Sequence, residues 1–156
     1  MVVAYLLVGL TGSGKTTYAE RVLVPRGVVR LSVDERVFDR HGRYGVDYPE
    51  NTYFTKEAPV VAEVRADLTR LLRAGHDVVV DHGLWRRAER DDWRALAEAA
   101  GGHVRLLYFP VSKPELLRRL TARNAQQHAN ALTVTPEALD DFYARFDVPH
   151  RVYGRR

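Results

Sequence analysis

The stretch Val2-Val3-Ala4-Tyr5-Leu6-Leu7-Val8-Gly9-Leu10-Thr11-Gly12-Ser13-Gly14-Lys15-Thr16-Thr17 decides the fold. Its first seven residues are apolar or aromatic and read as a buried strand. Gly9 to Thr16 match the spacing G-x-x-x-x-G-K-[ST]. The run from Thr17 to Leu23 reads as a helix. Strand, glycine loop and helix together form the setting in which this pattern cradles a phosphate. Backbone N–H groups point inward, and the positive end of the helix dipole faces the anion. Gly9, Gly12 and Gly14 stand where the backbone must approach closely or take φ values that side chains resist. Gly12, Ser13, Gly14, Lys15, Thr16 and Thr17 are the expected nucleotide-phosphate contacts. Lys15 is expected to reach the β- and γ-phosphates, and Thr16 to offer its hydroxyl to Mg²⁺.

The basic residues sharpen this reading. Of 24 Lys+Arg only three are lysine, Lys15, Lys56 and Lys113. A chain that uses arginine almost everywhere keeps lysine where a compact charge on a flexible stem is needed. With 156 residues, 46% hydrophobic and 28% charged, the composition is that of one globular domain over 1–156. The absence of cysteine excludes disulfides, thiolate zinc sites and cysteine nucleophiles. The N-terminal apolar run is too short to span a membrane and leads into the glycine loop. A core strand is expected, with no membrane partner and a cytoplasmic location. The net charge of +4 is compatible with an anionic partner without requiring one.

The remaining elements alternate. Val28 to Ser32 and Asp77 to Asp81 read as strands, as does Val104 to Phe109. Helices are expected over Tyr53 to Ala74, where Val60, Val61, Val64, Leu68, Leu71 and Leu72 recur at three- and four-residue spacing, and over Arg87 to Ala100. Two more are expected over Pro114 to Asn124 and from Thr135, as N-cap, to Phe146. The expected fold class is α/β: a short parallel sheet flanked by helices, a three-layer sandwich with a helical lid. Ligands of such sheets lie beyond the carboxyl ends of the strands.

Each strand end there carries chemistry. Asp34 follows the second strand and is a candidate to take a substrate hydroxyl proton, or to cap the helix that begins at Glu35. Asp81 ends the third strand, where a carboxylate can hold Mg²⁺ through water, anchor an acceptor, or simply form a turn. His82 is either a substrate contact or a solvated loop histidine. Arg119 and Arg123 lie four apart on one helix face and are able to clamp phosphate oxygens, the alternative being a solvated basic face.

These motifs together resemble the small P-loop kinases that include the kinase domain of bacteriophage polynucleotide kinase, chloramphenicol phosphotransferase and zeta-type toxins. The resemblance covers nearly the whole chain. It rests on Gly9 to Thr17, Leu31-Ser32-Val33-Asp34, Val79-Val80-Asp81, Leu116 to Asn124, and Val134 to Leu139 with Phe142-Tyr143. It implies a P-loop NTPase fold, Asp34 as general base and Arg123 as the lid arginine on the transferring phosphate. A bacterial group named AAA-family ATPases or predicted kinases is similar through Tyr44 to Glu50, Asp81 to Asp91 and Phe146 to Pro149. The AAA label carries no expectation of an unfoldase, since these 156 residues are too short for a ring-forming motor with its second domain. One position departs from polynucleotide kinase. Where that enzyme has an arginine one turn into the helix after its base, this chain has Val37 and Phe38, with Arg36 and Arg40 alongside.

The expected function is transfer of the γ-phosphate of ATP–Mg²⁺ to a hydroxyl of a small molecule. Arg36, Tyr48, Asp81 and Trp85 join Asp34 as candidate substrate contacts, the aromatics either stacking on the acceptor or packing the core edge. A polynucleotide 5′-hydroxyl kinase and a regulatory module with slow ATP hydrolysis are the competing readings. Nothing in the sequence speaks to oligomeric state. The basic residues Arg151, Arg155 and Arg156 are either a disordered tail or reach back to the nucleotide.

Overall fold

Four strands, β1 (Val3–Val8), β2 (Val29–Ser32), β3 (Val78–Asp81) and β4 (His103–Tyr108), pair in parallel in the order β2-β3-β1-β4. The computed structural model describes residues 1–10, 12–123 and 136–149, with Arg123 described by its backbone alone. Every residue of β3 is buried, as a valine run inside a two-sided sheet requires. Ala4, Leu6, Val8, Val78 and Val80 face one side. They pack on Val37 of α2 (Val33–His41), on Val60, Val64, Leu68 and Leu72 of α3 (Tyr53–Arg73), and on Trp93 and Ala97 of α4 (Arg87–Ala99). Leu7, Val79 and Leu107 face the other side, against Ala19 and Leu23. The result is the expected three-layer sandwich.

Two further helices form the lid. Leu116 and Leu120 of α5 (Lys113–Arg123) and Leu139 of α6 (Pro136–Arg145) bury themselves with Leu10 of the glycine loop. The Tyr143 hydroxyl donates to the Val111 carbonyl at 2.7 Å and fixes α6 against the segment entering α5.

The helix after the loop differs from expectation. It begins at Lys15, is α-helical only over Lys15–Tyr18 (α1), widens to a π-helix over Ala19–Leu23 and closes as a 3₁₀ turn. Pro25 lies within that turn; its ring and missing N–H end the regular pattern. Pro59 stands inside α3 as the sequence implied, and tertiary packing overrides its cost. The carbonyl it leaves unpaired, on Thr55, belongs to an exposed residue. Asp77 lies just outside β3, and its carboxylate accepts from the Val3 N–H at 2.8 Å. Of the expected features, Thr11, Asn124, the Thr135 cap, and Arg151, Arg155 and Arg156 lie outside the described residues.

The N-cap of α2 is Ser32, whose Oγ accepts from the Glu35 N–H at 3.2 Å. Asp34 is therefore the second residue of the helix, and the capping alternative for it is withdrawn. Ser32→Ala is expected to cost about 1 kcal/mol in urea unfolding, and Asp34→Asn less than about 0.5 kcal/mol. The reverse order of costs would restore Asp34 as the cap.

Candidate functional site

The strand order sets the site. β1 runs into the glycine loop, β3 lies beside it and β2 beyond, so the residues after all three strands meet at one edge. The Gly9 N–H donates to the Gly83 carbonyl at 3.1 Å and ties the two loops together. Gly12 and Gly14 have φ of +88° and +103°. Gly9 does not take a positive φ. It is glycine for want of space, since a Cβ there would stand 2.5 Å from Ser13 Oγ.

The loop fits a phosphate and its metal on its own terms. Ser13 Oγ is buried without a hydrogen-bond partner among the described residues, a polar atom left for a ligand. Lys15 Nζ donates to the Leu10 carbonyl at 3.3 Å, curled over the loop. Thr16 Oγ1 donates to Asp81 Oδ2 at 2.8 Å, so the two oxygen donors expected for Mg²⁺ stand together. Thr17 is exposed.

Arg30 shares Asp81, a partner that the strand pattern did not suggest. Its Nε and Nη2 donate to the same Oδ2 at 3.1 and 2.8 Å, and Nη1 pairs with Glu35 and, at 3.6 Å, with Glu20. Asp81 is 4% exposed. Burial pulls the Arg30 pKa down, but the charge and hydrogen bond of Asp81, with Glu35 added, leave it raised. The available signal was a lone arginine in an apolar strand.

Asp34 stands at the end of β2. Its Oδ1 accepts from the Tyr53 hydroxyl at 2.9 Å. Oxygens of Asp34 and Glu57 and a ring nitrogen of His82 all lie within 4.8 Å of one another. His82 is not solvated: its side chain is 9% exposed, edge-on to Trp93 at 6.0 Å, with Nε2 3.8 Å from Glu89. Its Nδ1 is buried without a partner among the described residues. Burial pushes the Glu57 pKa up, against the opposing pull of His82 and the Tyr53 hydrogen bond, while Asp34 and Glu89 add to the rise. Burial, then the charges of Asp34 and Glu57, push the Tyr53 hydroxyl far above its usual range. Tyr53 and Glu57, one turn apart on α3, were not singled out as polar partners of Asp34.

The loop bearing His82 is held from behind. Leu84 takes a φ of +52° while almost fully buried. Arg90, itself 5% exposed, donates Nη1 to the carbonyls of Leu84 and Trp85 at 2.9 and 3.0 Å. Arg90 lies on the buried stripe of α4 with Trp93 and Ala97, a charge on an apolar face. The Asp147 N–H reaches the Trp85 carbonyl at 2.8 Å, and the Asp147 carboxylate accepts from the Arg87 N–H at 3.0 Å. The Phe146-to-Pro149 motif thus anchors this loop.

The other candidates divide. Arg119 is brought to the loop: Nη1 donates to the Gly12 carbonyl at 3.3 Å while Nε holds Glu115 at 2.9 Å. Arg118 and then Arg119 hold the Glu115 carboxyl down to about 2. Arg123 ends α5, and its side chain lies outside the described residues. Arg36 is not brought to the site; it pairs with Glu63 at 2.7 Å and Asp67 at 2.9 Å, bracing α2 on α3. Tyr48 is 7% exposed and stacks on Tyr53 within the core, so it is a wall and not an open stacking face. Trp85 packs on Phe142 of the lid, ring centroids 5.0 Å apart.

The chain belongs to the P-loop kinase family AAA_33, described as an AAA domain, which matches residues 5–149. A comparison with curated protein sequences finds no significant match. Among solved structures, a protein from Chloroflexus aurantiacus j-10-fl superposes with a TM-score of 0.76 at 19% identity, over 95% of this chain and 81% of the other. A gluconokinase from Sinorhizobium meliloti 1021 gives 0.63 at 20% identity, over 95% and 77%. A chain of the Pnkp1/Rnl/Hen1 RNA repair complex gives 0.73 at 19% identity, over 92% of this chain and 43% of that one. At these identities the likeness speaks for the fold. Kinases of this kind use ATP, typically with Mg²⁺. No described helix is long and apolar enough to cross a membrane.

Arg30→Met strands the Asp81 carboxylate and is expected to cost about 3 kcal/mol in denaturant unfolding, most of it recovered by adding Asp81→Asn. Additive losses would show the pair to be uncoupled. Glu57 has its folded-state pKa above the unfolded value. Its contribution to stability is therefore full at acid pH and is lost as pH rises through the raised value. Melting temperatures followed upward from the ordinary Glu value of 4.5 should fall more steeply for the wild type than for Glu57→Gln. Equal slopes would remove Glu57 as the source.

Proposed function

We propose that this chain is an ATP-dependent phosphotransferase acting on a hydroxyl of a small molecule. The observation that carries the reading is the pairing of Thr16 with Asp81 one strand away from Asp34, which Tyr53 orients. Lys15, Arg119 and Arg123 stabilise charge on the γ-phosphoryl group, and Gly12 to Thr17 hold the phosphates. Mg²⁺, when bound near Thr16 and Asp81, supplies charge neutralisation of the phosphate oxygens.

Asp34 takes the proton from the acceptor hydroxyl. The acceptor oxygen forms its bond to the γ-phosphorus as the bond from that phosphorus to the β,γ-bridging oxygen breaks, and ADP leaves with the electron pair. The setting is the cytoplasm, where ATP is available. The polynucleotide reading is weaker because Arg36, the nearest candidate for a nucleotide phosphate, is engaged by Glu63 and Asp67. A regulatory module with slow hydrolysis would not need Asp34.

The test is acceptor-stimulated ADP release. Asp34→Asn should lower kcat by about 100-fold or more with ATP affinity unchanged. Lys15→Ala should lose both nucleotide binding and turnover. An Asp34→Asn protein with the wild-type rate would sink the assignment of the base.

A further inference from the structure

The acceptor end of the site is built from carboxylates. Asp34, Glu57 and His82 present two carboxylate oxygens and a ring nitrogen within 4.8 Å of one another, and Glu89 stands 3.8 Å behind the imidazole. Independently of the acids, the His82 side chain is 91% withdrawn from solvent and its Nδ1 lacks any hydrogen-bond partner among the described residues. A buried ring nitrogen left without a partner in such a group marks a place for a ligand polar atom.

The cations nearby are turned to other work. Arg36 and Arg40 hold Glu63, Arg43 pairs with Asp47, and Arg30 is committed to Asp81 and Glu35. Lys56 lies over the ring of Tyr48 at 5.5 Å. The rim is aromatic and apolar: Tyr44 is 37% exposed and Phe54 73%. Tyr44 meets Tyr53 edge-on at 5.5 Å.

We propose that the acceptor is a hydroxylated amine, of the amino-sugar or amino-alcohol class, whose ammonium group pairs with Glu57 while its hydroxyl is offered to Asp34. This rests on the phosphotransferase reading for the hydroxyl and goes beyond it for the amine. An ammonium offers three donors to a set rich in acceptors, the Glu57 carboxylate and the Tyr53 oxygen foremost. It also restores the charge balance that burial of Glu57 disturbs, and the exposed Tyr44 face suits a cation. A sugar acid or a polynucleotide would bring its own negative charge against Asp34, Glu57 and Glu89, and each such juxtaposition is repulsive.

The experiment uses one ring size and three charges. Glucosamine, glucose and gluconate are titrated into the full chain by competition calorimetry or ligand-observed NMR, with the non-hydrolysable nucleotide AMPPNP and Mg²⁺ present. Glucosamine is expected to bind about tenfold or more tightly than gluconate, and the preference to shrink in 1 M salt. Glu57→Gln should collapse the preference to within about threefold while AMPPNP affinity stays unchanged. Gluconate binding as well as or better than glucosamine, no discrimination at all, or a preference untouched by both salt and Glu57→Gln would each overturn the proposal. The salt arm needs only wild-type protein and keeps the test decisive if the variant fails to fold. ADP release on the same three compounds separates the two readings. Amine-selective binding without turnover would remove the phosphotransferase and keep the amine. Turnover on gluconate would keep the kinase and remove the amine.

Discussion

A carboxylate held at 4% exposure, Asp81, is the constraint around which the site is assembled. Removing an ionised carboxylate from water costs several kcal/mol unless it is paired and fully hydrogen-bonded. Here three donated hydrogen bonds converge on one oxygen, two from Arg30 and one from Thr16. The parallel register sets Ser32 opposite Asp81, so Arg30, two residues earlier on the same face of β2, reaches diagonally across. The compensation thereby ties β2 and β3 to the first turn of α1, and through Glu35 to the first turn of α2. Any displacement of β2 would strand the charge. The same bonds that stabilise Asp81 therefore hold the start of α2, and with it Asp34, at a fixed distance from the glycine loop.

The lid is attached differently. Leu10, Leu116, Leu120 and Leu139 form an apolar cluster of their own, separate from the two clusters that sandwich the sheet. A Cβ on Gly12 would stand 3.0 Å from Leu116 and Leu120, so the loop and α5 touch backbone to side chain. Beside these leucines, the Arg119–Gly12 bond at 3.3 Å, the Trp85–Phe142 contact at 5.0 Å and the stack of Tyr108 on Phe146 at 5.8 Å join the lid to the loop and the sheet. The Arg119 guanidinium is bonded to the Gly12 carbonyl of the glycine loop.

Sequence reasoning reached the fold because its strongest signals are local and periodic. The glycine loop, the valine run ending in Asp81 and the α3 stripe from Val60 to Leu72 each carry a pattern that packing obeys. The π-helical widening after Tyr18 escaped, since Pro25 signals that a helix ends and not how it unwinds. At the site, residues on the strand ends were legible and their partners on other elements were not. Asp34 follows β2 and Asp81 ends β3, so the parallel order alone set both at the same edge of the sheet. Arg30, Tyr53, Glu57 and Arg90 act across elements 19 to 51 residues apart or from the buried face of a helix, and no spacing rule links them. Two were visible as anomalies: Arg30 as a charge in an apolar strand, Arg90 as a charge on an apolar helix face. Each is where a buried cation needed a reason. Tyr48 and Arg36 misled for the opposite reason, because an aromatic or a basic residue near a site is legible as chemistry while its neighbours decide whether it packs instead.

The charges are distributed unevenly across the site, an asymmetry that supports the phosphoryl transfer proposed above. On the loop side stand Lys15 and Arg119; around His82 stand Asp34, Glu57 and Glu89. A phosphoryl group needs positive charge along its oxygens, whereas its acceptor needs a proton taken away. Packing carboxylates close together is costly, and the cost is borne by Glu57, whose pKa burial raises, while Tyr53 donates its one proton to Asp34. The hydroxyl thus stands between the two carboxylates, bonded to Asp34 Oδ1 at 2.9 Å and also opposing the rise that burial gives Glu57. His82 sits between them and Glu89, close enough to oppose the rise at Glu57, and Arg90 holds its loop in a conformation with Leu84 at positive φ. The strain at Leu84 and the burial of Arg90 are thus linked to the position of one imidazole. A core optimised for stability alone would not spend a buried arginine on two loop carbonyls. That expenditure is accounted for if the imidazole has to stand where a ligand can meet its unpartnered nitrogen.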